Sequence, residues 1–322
     1  MYGVVIKLDR GYPLVRLEDG REVRCEHATA LVKNHPKRAV IGDRVEVAIP
    51  EGHDKGIIET TLPRKTKFVR KDPTERALSQ TLAANFDVVL VAQPIEEINT
   101  RRLERELVLA HETGAEVVIV LTKADLISSE AEKKAILKQV EGLAGSDQVF
   151  IVSEQDSAAV QQLANLLSDG NKTAVLIGRS GVGKSSLVNM LVGHDIQPTT
   201  PVRKRDGKGR HTTVSREMIK LPQGGFIIDM PGVRGLGLWE AEEGIEAAFS
   251  DIETYAQSCR FRDCSHINEP GCAVRQAVED GLIAPSRLES YLRLKEEITQ
   301  MRERKEVAQR IQTRKGHPRR RQ

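Results

Sequence analysis

Residues Ala174-Val175-Leu176-Ile177-Gly178-Arg179-Ser180-Gly181-Val182-Gly183-Lys184-Ser185 decide how this chain is read. The last eight form a complete G-x-x-x-x-G-K-[ST] phosphate loop, and the four before them form a short apolar run. A buried strand feeding a glycine-rich turn and then a helix is the context such a loop needs. Its glycines let backbone N–H groups wrap phosphates. Lys184 reaches the β- and γ-phosphates, and the Ser185 hydroxyl is placed to bind Mg²⁺. Gly178, Arg179, Ser180, Gly181, Val182, Gly183, Lys184, Ser185 and the adjoining Ser186 are the candidate phosphate-binding residues. The bland alternative is a glycine-rich βα turn that binds nothing.

What surrounds the loop matters as much as the loop. Thr122-Lys123-Ala124-Asp125 precedes it and has the form of an N-K-x-D base reader. Its aspartate is suited to accept hydrogen bonds from guanine N1–H and N2–H₂, a donor pair that adenine lacks. Thr122 stands where asparagine is usual, keeping a hydroxyl but losing the amide, so a lower base affinity is expected. Val152-Ser153, at the end of the next apolar run, is placed to offer backbone N–H groups to guanine O6. Asp229-Met230-Pro231-Gly232 comes after the loop. Asp229 can hold the Mg²⁺ shell, and the Gly232 N–H can sense a γ-phosphate. A base reader first, a phosphate loop second and a Mg²⁺-side motif third predict a circularly permuted P-loop GTPase domain.

Between the loop and Asp229 lies Lys204-Arg205-Asp206-Gly207-Lys208-Gly209-Arg210-His211-Thr212-Thr213, a polar segment of the kind that closes over a γ-phosphate. Thr212 or Thr213 is the candidate Mg²⁺ cap, and the sequence does not choose between them. Val233 comes directly after Gly232, and a valine cannot orient an attacking water as glutamine does in Ras-like enzymes. His211 is the nearest side chain in sequence that could, with a solvent-exposed loop histidine as the alternative. Catalytic candidates are thus His211, Lys184, Thr212 and Thr213. Nucleotide state is expected to pass to the C-terminal segment through Val233 to Trp239.

Outward from this centre, apolar runs at Val88–Ala92, Val117–Leu121, Val149–Val152, Ala174–Ile177 and Phe226–Ile228 alternate with helical stretches. Runs buried on both faces with helices between them indicate a parallel sheet in an α/β layer fold. The N-terminal 65 residues instead carry short strands broken by turns, with Asp19-Gly20 a strong hairpin signal. Short strands without a helix predict a small OB-type barrel, a fold that often binds oligonucleotides. A basic connector, Leu62 to Lys71, comes next. Near the other end, Cys259, Cys264, His266 and Cys272 make a Cys₃His set typical of one structural Zn²⁺, while Cys25 stands alone as a small apolar residue. Helical sequence from Ser286 to Gln312 leads into an arginine-rich end. The expected division is 1–65, an RNA-binding barrel; 66–238, the permuted GTPase domain; and 239–322, a mainly helical zinc domain with a basic tail.

The 322 residues suit two or three domains, and 39% hydrophobic content supports a buried core. No apolar run approaches the ~20 residues that span a bilayer, and no secretory leader is evident, so a cytoplasmic protein is expected. Net charge is only +3, but Arg302 to Arg321 concentrates basic residues as polyanion-binding arms do.

The ordered combination resembles the ribosome small-subunit-dependent GTPase A family (RsgA, also called YjeQ). The resemblance extends to Gly42-Asp43-Arg44-Val45 and Gly209-Arg210-His211-Thr212-Thr213 and covers nearly the whole chain. It implies GTP hydrolysis to GDP stimulated by the 30S subunit, a role in late small-subunit maturation, 16S rRNA as a contact, and a monomer that needs Mg²⁺ and one Zn²⁺. Two alternatives are a structural RNA-binding assembly factor with a vestigial nucleotide site, and an ATP-dependent enzyme on the same loop. Turnover with and without 30S subunits separates the first; GTP-versus-ATP competition separates the second.

Overall fold

Alternating buried and open side chains make a barrel of the N-terminal strands: β1 (Tyr2–Asp9), β2 (Tyr12–Leu17), β3 (Glu22–His27), β4 (Arg44–Ala48) and β5 (Gly56–Thr61). The structure is a computed structural model of the 322-residue chain and describes residues 1–9, 12–33, 38–71, 79–196, 216–230 and 241–315. Strands run in the order β1-β2-β3-β5-β4, and β4 returns to pair with β1, closing the barrel in the OB arrangement. Val5, Val15, Leu17, Cys25, Val45, Val47 and Ile58 fill it. A short helix, α1 (Thr29–Lys33), brings Leu31 into the same core. That helix corrects the expectation of a helix-free barrel; five residues are too few to display a 3.6-residue period. Gly20 makes the β2–β3 turn with φ +86°, as Asp19-Gly20 suggested.

The barrel is joined firmly to the strands after it. Gly42 has φ +83°, and a Cβ there would stand 2.0 Å from the Ala84 carbonyl oxygen, so only glycine fits. Next to it, the fully buried Asp43 takes both 2.7 Å hydrogen bonds of a bidentate Arg64 guanidinium and a third from the Val40 N–H. Arg64 also donates to Thr81 Oγ1 at 3.0 Å. The expected connector therefore contains a strand, β6 (Lys67–Lys71), paired antiparallel with β7 (Ser79–Ala84). Its lysines and arginines hid a strand whose Phe68 is buried.

The larger sheet is built from β8 (Val88–Pro94), β9 (Glu116–Thr122), β10 (Gln148–Ile151), β11 (Thr173–Ile177), β12 (Arg216–Lys220) and β13 (Phe226–Asp229). Their order is β10-β9-β8-β11-β13-β12, parallel throughout except for β12. The strand that feeds the phosphate loop, β11, is thus flanked by β8 from earlier in the chain and β13 from later. β12 is not evident from the sequence pattern. It hydrogen-bonds to β1 through Lys7↔Glu217 and Leu8↔Arg216, with a 2.7 Å ion pair between Lys7 and Glu217, so sheet and barrel form one eleven-stranded array.

Helices α2 (Thr100–His111), α3 (Glu130–Ala144), α4 (Ser157–Ser168) and α5 (Lys184–Val192) complete the α/β layers. Asn99 and Asp156 cap α2 and α4 by accepting from backbone N–H groups. Val88, Leu90 and Ala92 point to the face covered by α4 and α5. Val89 and Val91 point to the opposite core, which α2 and α3 share with α6 (Glu242–Ala248), α7 (Ser250–Ala256), α8 (Ala273–Glu279) and α9 (Pro285–Lys315). The C-terminal helices therefore share one core with the GTPase sheet. A buried arginine fastens them: Arg287 on α9 donates to Glu104 of α2 at 3.1 Å, to both Asp251 oxygens and to the Ala248 carbonyl, with its guanidinium 4.0 Å from the Phe249 ring centroid. Among the described residues no helix is long and apolar enough to cross a membrane.

Candidate nucleotide site and metal centre

The phosphate loop leaves β11 at Ile177 and enters α5 at Lys184. Three of its glycines have positive φ: Gly178 at +137°, Gly181 at +86° and Gly183 at +91°. At Gly178 a Cβ would come within 2.5 Å of the Ala92 carbonyl oxygen, so the loop is pressed onto the end of β8. Arg179, Ser180 and Gly181 are exposed, Val182 is buried, and Ser185 and Ser186 lie half-buried in the first turn of α5. Lys184 Nζ donates to the Gly178 and Arg179 carbonyls at 2.7 and 2.8 Å. The ammonium is thereby held over the loop, where phosphate oxygens offer stronger, charge-assisted acceptors.

The base-reading motif stands beside it. β9 ends at Thr122; Lys123 turns in the left-handed region (φ 58°), and Asp125 lies in a 3-10 turn, Ala124–Leu126. The Asp125 side chain is exposed and has no hydrogen-bond partner among the described residues, leaving both carboxylate oxygens for a ligand. Lys123 pairs with Glu96 at 3.3 Å. Val152 and Ser153 lie just past β10 and do not end it as expected. The Val152 N–H is taken by the Leu121 carbonyl and its carbonyl accepts from Ala124 N, which aligns this turn with the base motif. Both residues are buried. Of the two, only the Ser153 N–H has no partner among the described residues.

Asp229 ends β13, whose Ile228 pairs with Val175 on β11, so Asp229 and the phosphate loop leave neighbouring strand ends on the same side of the sheet. Ser185 stands at the head of α5, in the turn that follows the phosphate loop. Gly232, Val233, His211, Thr212 and Thr213, with the Val233-to-Trp239 link, lie outside the described residues.

Sequence reading missed two residues behind the loop. Gln93, only 2% exposed, continues β8 beneath it and donates to the Glu106 carboxylate on α2. Burial pushes the Glu106 carboxyl up to about 7, against the pull of the Gln93 hydrogen bond and of the Arg102 and Lys184 charges. A glutamine directly after the apolar run Val88–Ala92 was the available signal.

Cys259, Cys264, His266 and Cys272 converge, all four ligand atoms lying within 4.8 Å of one another. A tetrahedron with Zn–S near 2.3 Å and Zn–N near 2.0–2.1 Å has S···S edges of about 3.8 Å and S···N edges of about 3.5 Å. The structure has Cys259 Sγ–Cys272 Sγ at 3.9 Å, and His266 Nδ1 at 3.6 and 3.4 Å from the same two sulfurs. The donor set and spacing fit Zn²⁺. His266 reaches inward from a left-handed backbone (φ 60°). Burial first, then the Lys295 ammonium, hold its imidazole below the ordinary histidine range, so at neutral pH it is the uncharged, ligating form. Tyr291 of α9 packs its ring 6.2 Å from the His266 ring, seating the cluster on the long helix.

The chain is similar to several known proteins. A family described as RsgA GTPase matches residues 61–239, and one described as 50S ribosome-binding GTPase matches 173–306. A Streptomyces avermitilis protein named Small ribosomal subunit biogenesis GTPase RsgA is 43% identical over 293 residues, 91% of this chain and 78% of its own. One of the same name from Streptomyces coelicolor is 40% identical over 319 residues, 99% of this chain and 86% of its own. Among solved structures, YjeQ from Thermotoga maritima superposes with a TM-score of 0.70 at 29% identity, covering 92% of this chain and 98% of its own. YloQ, titled a circularly permuted GTPase, superposes at 0.67 and 27% identity, covering 94% and 95%. A permuted sheet order around the phosphate loop, an OB barrel ahead of it, a Cys₃His cluster after it and matches at this level over nearly the full length place the chain in the RsgA GTPase family.

Proposed function

We propose that this chain hydrolyses GTP to GDP and phosphate in the maturation of the small ribosomal subunit, with the 30S particle as both partner and activator. The observation that carries the nucleotide half is the juxtaposition of the Asp125 motif with the phosphate loop across the Thr122–Val182 hydrogen bond. Asp125 accepts from guanine, Lys123 lies beneath the base, and the turn after Val152 faces O6. Backbone N–H groups from Gly178 to Ser186 wrap the phosphates, and Lys184 exchanges its loop carbonyls for phosphate oxygens. Ser185 and Asp229 would hold Mg²⁺, which neutralises charge on the β- and γ-phosphates when bound. His211 orients the attacking water, and Thr212 or Thr213 caps Mg²⁺ on the γ-phosphate side.

Cys259, Cys264, His266 and Cys272 would hold one structural Zn²⁺, and four protein ligands leave no open position for chemistry. The division into 1–65, 66–238 and 239–322 assigns 16S rRNA contact to the barrel and to the arginine-rich end, in a cytoplasmic monomer. The small-subunit assignment is supported by the names of relatives about 40% identical over most of the chain. The test is co-sedimentation with purified 30S subunits in GDP and in a non-hydrolysable GTP analogue, alongside GTP-versus-ATP competition. The proposal expects tighter retention with the GTP analogue and no competition by ATP. Equal retention in both states removes the switch, because linkage requires differential binding.

A further inference from the structure

Of the four candidate zinc ligands, His266 alone has a left-handed backbone (φ 60°), a conformation that is unfavourable for any residue with a Cβ. One carboxylate holds it there. Glu269 Oε1 accepts from the Ser265 N–H at 2.9 Å and from the Ser265 hydroxyl, and Oε2 accepts from the Ile267 N–H at 3.2 Å and the Asn268 N–H at 3.1 Å. The carboxylate therefore brackets His266, taking the N–H before it and the two after it, as an anion fills a concave run of backbone N–H groups. The His266 N–H itself faces the Cys264 sulfur. The Ser265 hydroxyl first, then the Ser265 N–H, hold the Glu269 carboxyl down at about 2, so it stays an acceptor wherever thiolates and imidazole can ligate. Among the described residues no cation pairs with Glu269, and it stands outside the set of converging ligand atoms. None of its four bonds uses a ligating atom, so they form with or without the ion.

We propose that Glu269 is a positioning residue for the zinc centre, holding the 265–268 turn in the left-handed form that aims the His266 imidazole inward, so that the free chain is already shaped for the ion. This rests on the Zn²⁺ assignment above. The consequence for affinity follows from populations. With Glu269 in place the free chain occupies the competent turn, and binding requires no reshaping. Without it the turn relaxes, and apparent affinity falls by the fraction of free chain that remains competent.

The experiment is titration of the full, reduced chain with Zn²⁺ against a chromogenic chelator, comparing wild type with Glu269→Gln. Glutamine keeps the length but carries one acceptor oxygen in place of two. Zn²⁺ affinity should fall about 5- to 30-fold, the population cost of a left-handed residue other than glycine. A carboxylate that merely stabilises the turn equally in free and loaded chain leaves that affinity unchanged, and this result overturns the proposal. Saturation with Co²⁺ in place of Zn²⁺ should give both chains the same tetrahedral absorption bands, because the four ligands are the same once the ion is in. A changed spectrum at saturation overturns the proposal too, since Glu269 then alters the ligand set. Hydrogen exchange of the 265–268 segment, measured without metal, checks the cause. It should be slow in wild type and fast in the variant; fast exchange in wild type means that the free chain is not shaped in advance. If melting curves show that Glu269→Gln does not fold, Ser265→Ala takes its place. It removes only the hydroxyl donor, so the expected loss of Zn²⁺ affinity is about 2- to 10-fold, and no loss overturns the proposal. A wild type that takes up no Zn²⁺ removes the zinc assignment itself, a result distinct from every outcome in the variants.

Discussion

Replacing Arg287 by methionine probes the joint between the GTPase layer and the C-terminal helices. Arg287 is 6% exposed and Glu104, its partner on α2, 3%. Methionine keeps much of the apolar stem but removes donors to Glu104, Asp251 and the Ala248 carbonyl and a guanidinium stacked on Phe249. The dominant loss is the stranded Glu104 carboxylate. Breaking a buried pair on one side costs about 3–5 kcal/mol, far more than the ~1 kcal/mol of a single hydrogen bond. Asp251 is half open to solvent and adds little. Hydrogen exchange read by mass spectrometry on α9 peptides is the assay, since exchange rates scale with the opening free energy of that unit. A cost of 3–5 kcal/mol predicts roughly 150- to 5,000-fold faster exchange between Pro285 and Gln300 at ~1.4 kcal/mol per decade. Adding Glu104→Gln should recover most of the protection, because no charge is then stranded. A change below about threefold in the single variant, or no recovery in the double, refutes the reasoning.

Three other perturbations test separate parts of the structure. Cys272→Ser should leave the purified chain with markedly less than one zinc by elemental analysis, and α8 and α9 should lose exchange protection while GDP binding survives. Gly42→Ala forces a Cβ onto the Ala84 carbonyl at a left-handed backbone position, which should cost about 2–4 kcal/mol and expose the barrel joint to proteolysis before the GTPase core. Glu112 accepts the Gly244 N–H at 2.8 Å, and burial first, then Glu243 and Glu242, push its carboxyl up to about 7. The fold therefore favours the protonated form, so stability is lost as pH rises from the ordinary glutamate range through about 7. Glu112→Gln keeps the acceptor and should flatten that loss, by about 1–2 kcal/mol once solvent screening of a half-buried side chain is allowed for, in melting temperatures measured from pH 5 to 8.

What the sequence made legible is what short-range pattern encodes. Gly178 to Ser185 after an apolar run, Asp19-Gly20 between alternating strands and the Cys₃His spacing each specify local geometry, and each forms as read. Fold class came from motif order, which the sheet reproduces strand by strand. What escaped is long-range. β12, Arg216-Glu217-Met218-Ile219-Lys220, lacks an apolar run, and one of its two partners, β1, lies more than two hundred residues away in sequence. β6 is masked by lysines and arginines whose ladder partner lies beyond an intervening segment. Arg287 reads as one more basic residue near a basic tail; only packing against Glu104 and Phe249 makes it the joint. Thr122 was legible in position but not in its contact, because its acceptor, Val182, lies sixty residues along the chain.

The central claim is that a permuted GTPase site works through a small-subunit partner. GTP turnover by the full chain, measured alone and with purified 30S subunits, tests it most directly. With Val233 where a water-orienting glutamine would stand, turnover alone should be slow. Saturating 30S subunits should raise it by roughly 10² or more, the scale on which a partner completes such a site. Equal turnover with and without 30S subunits, or turnover of ATP in place of GTP, would contradict it.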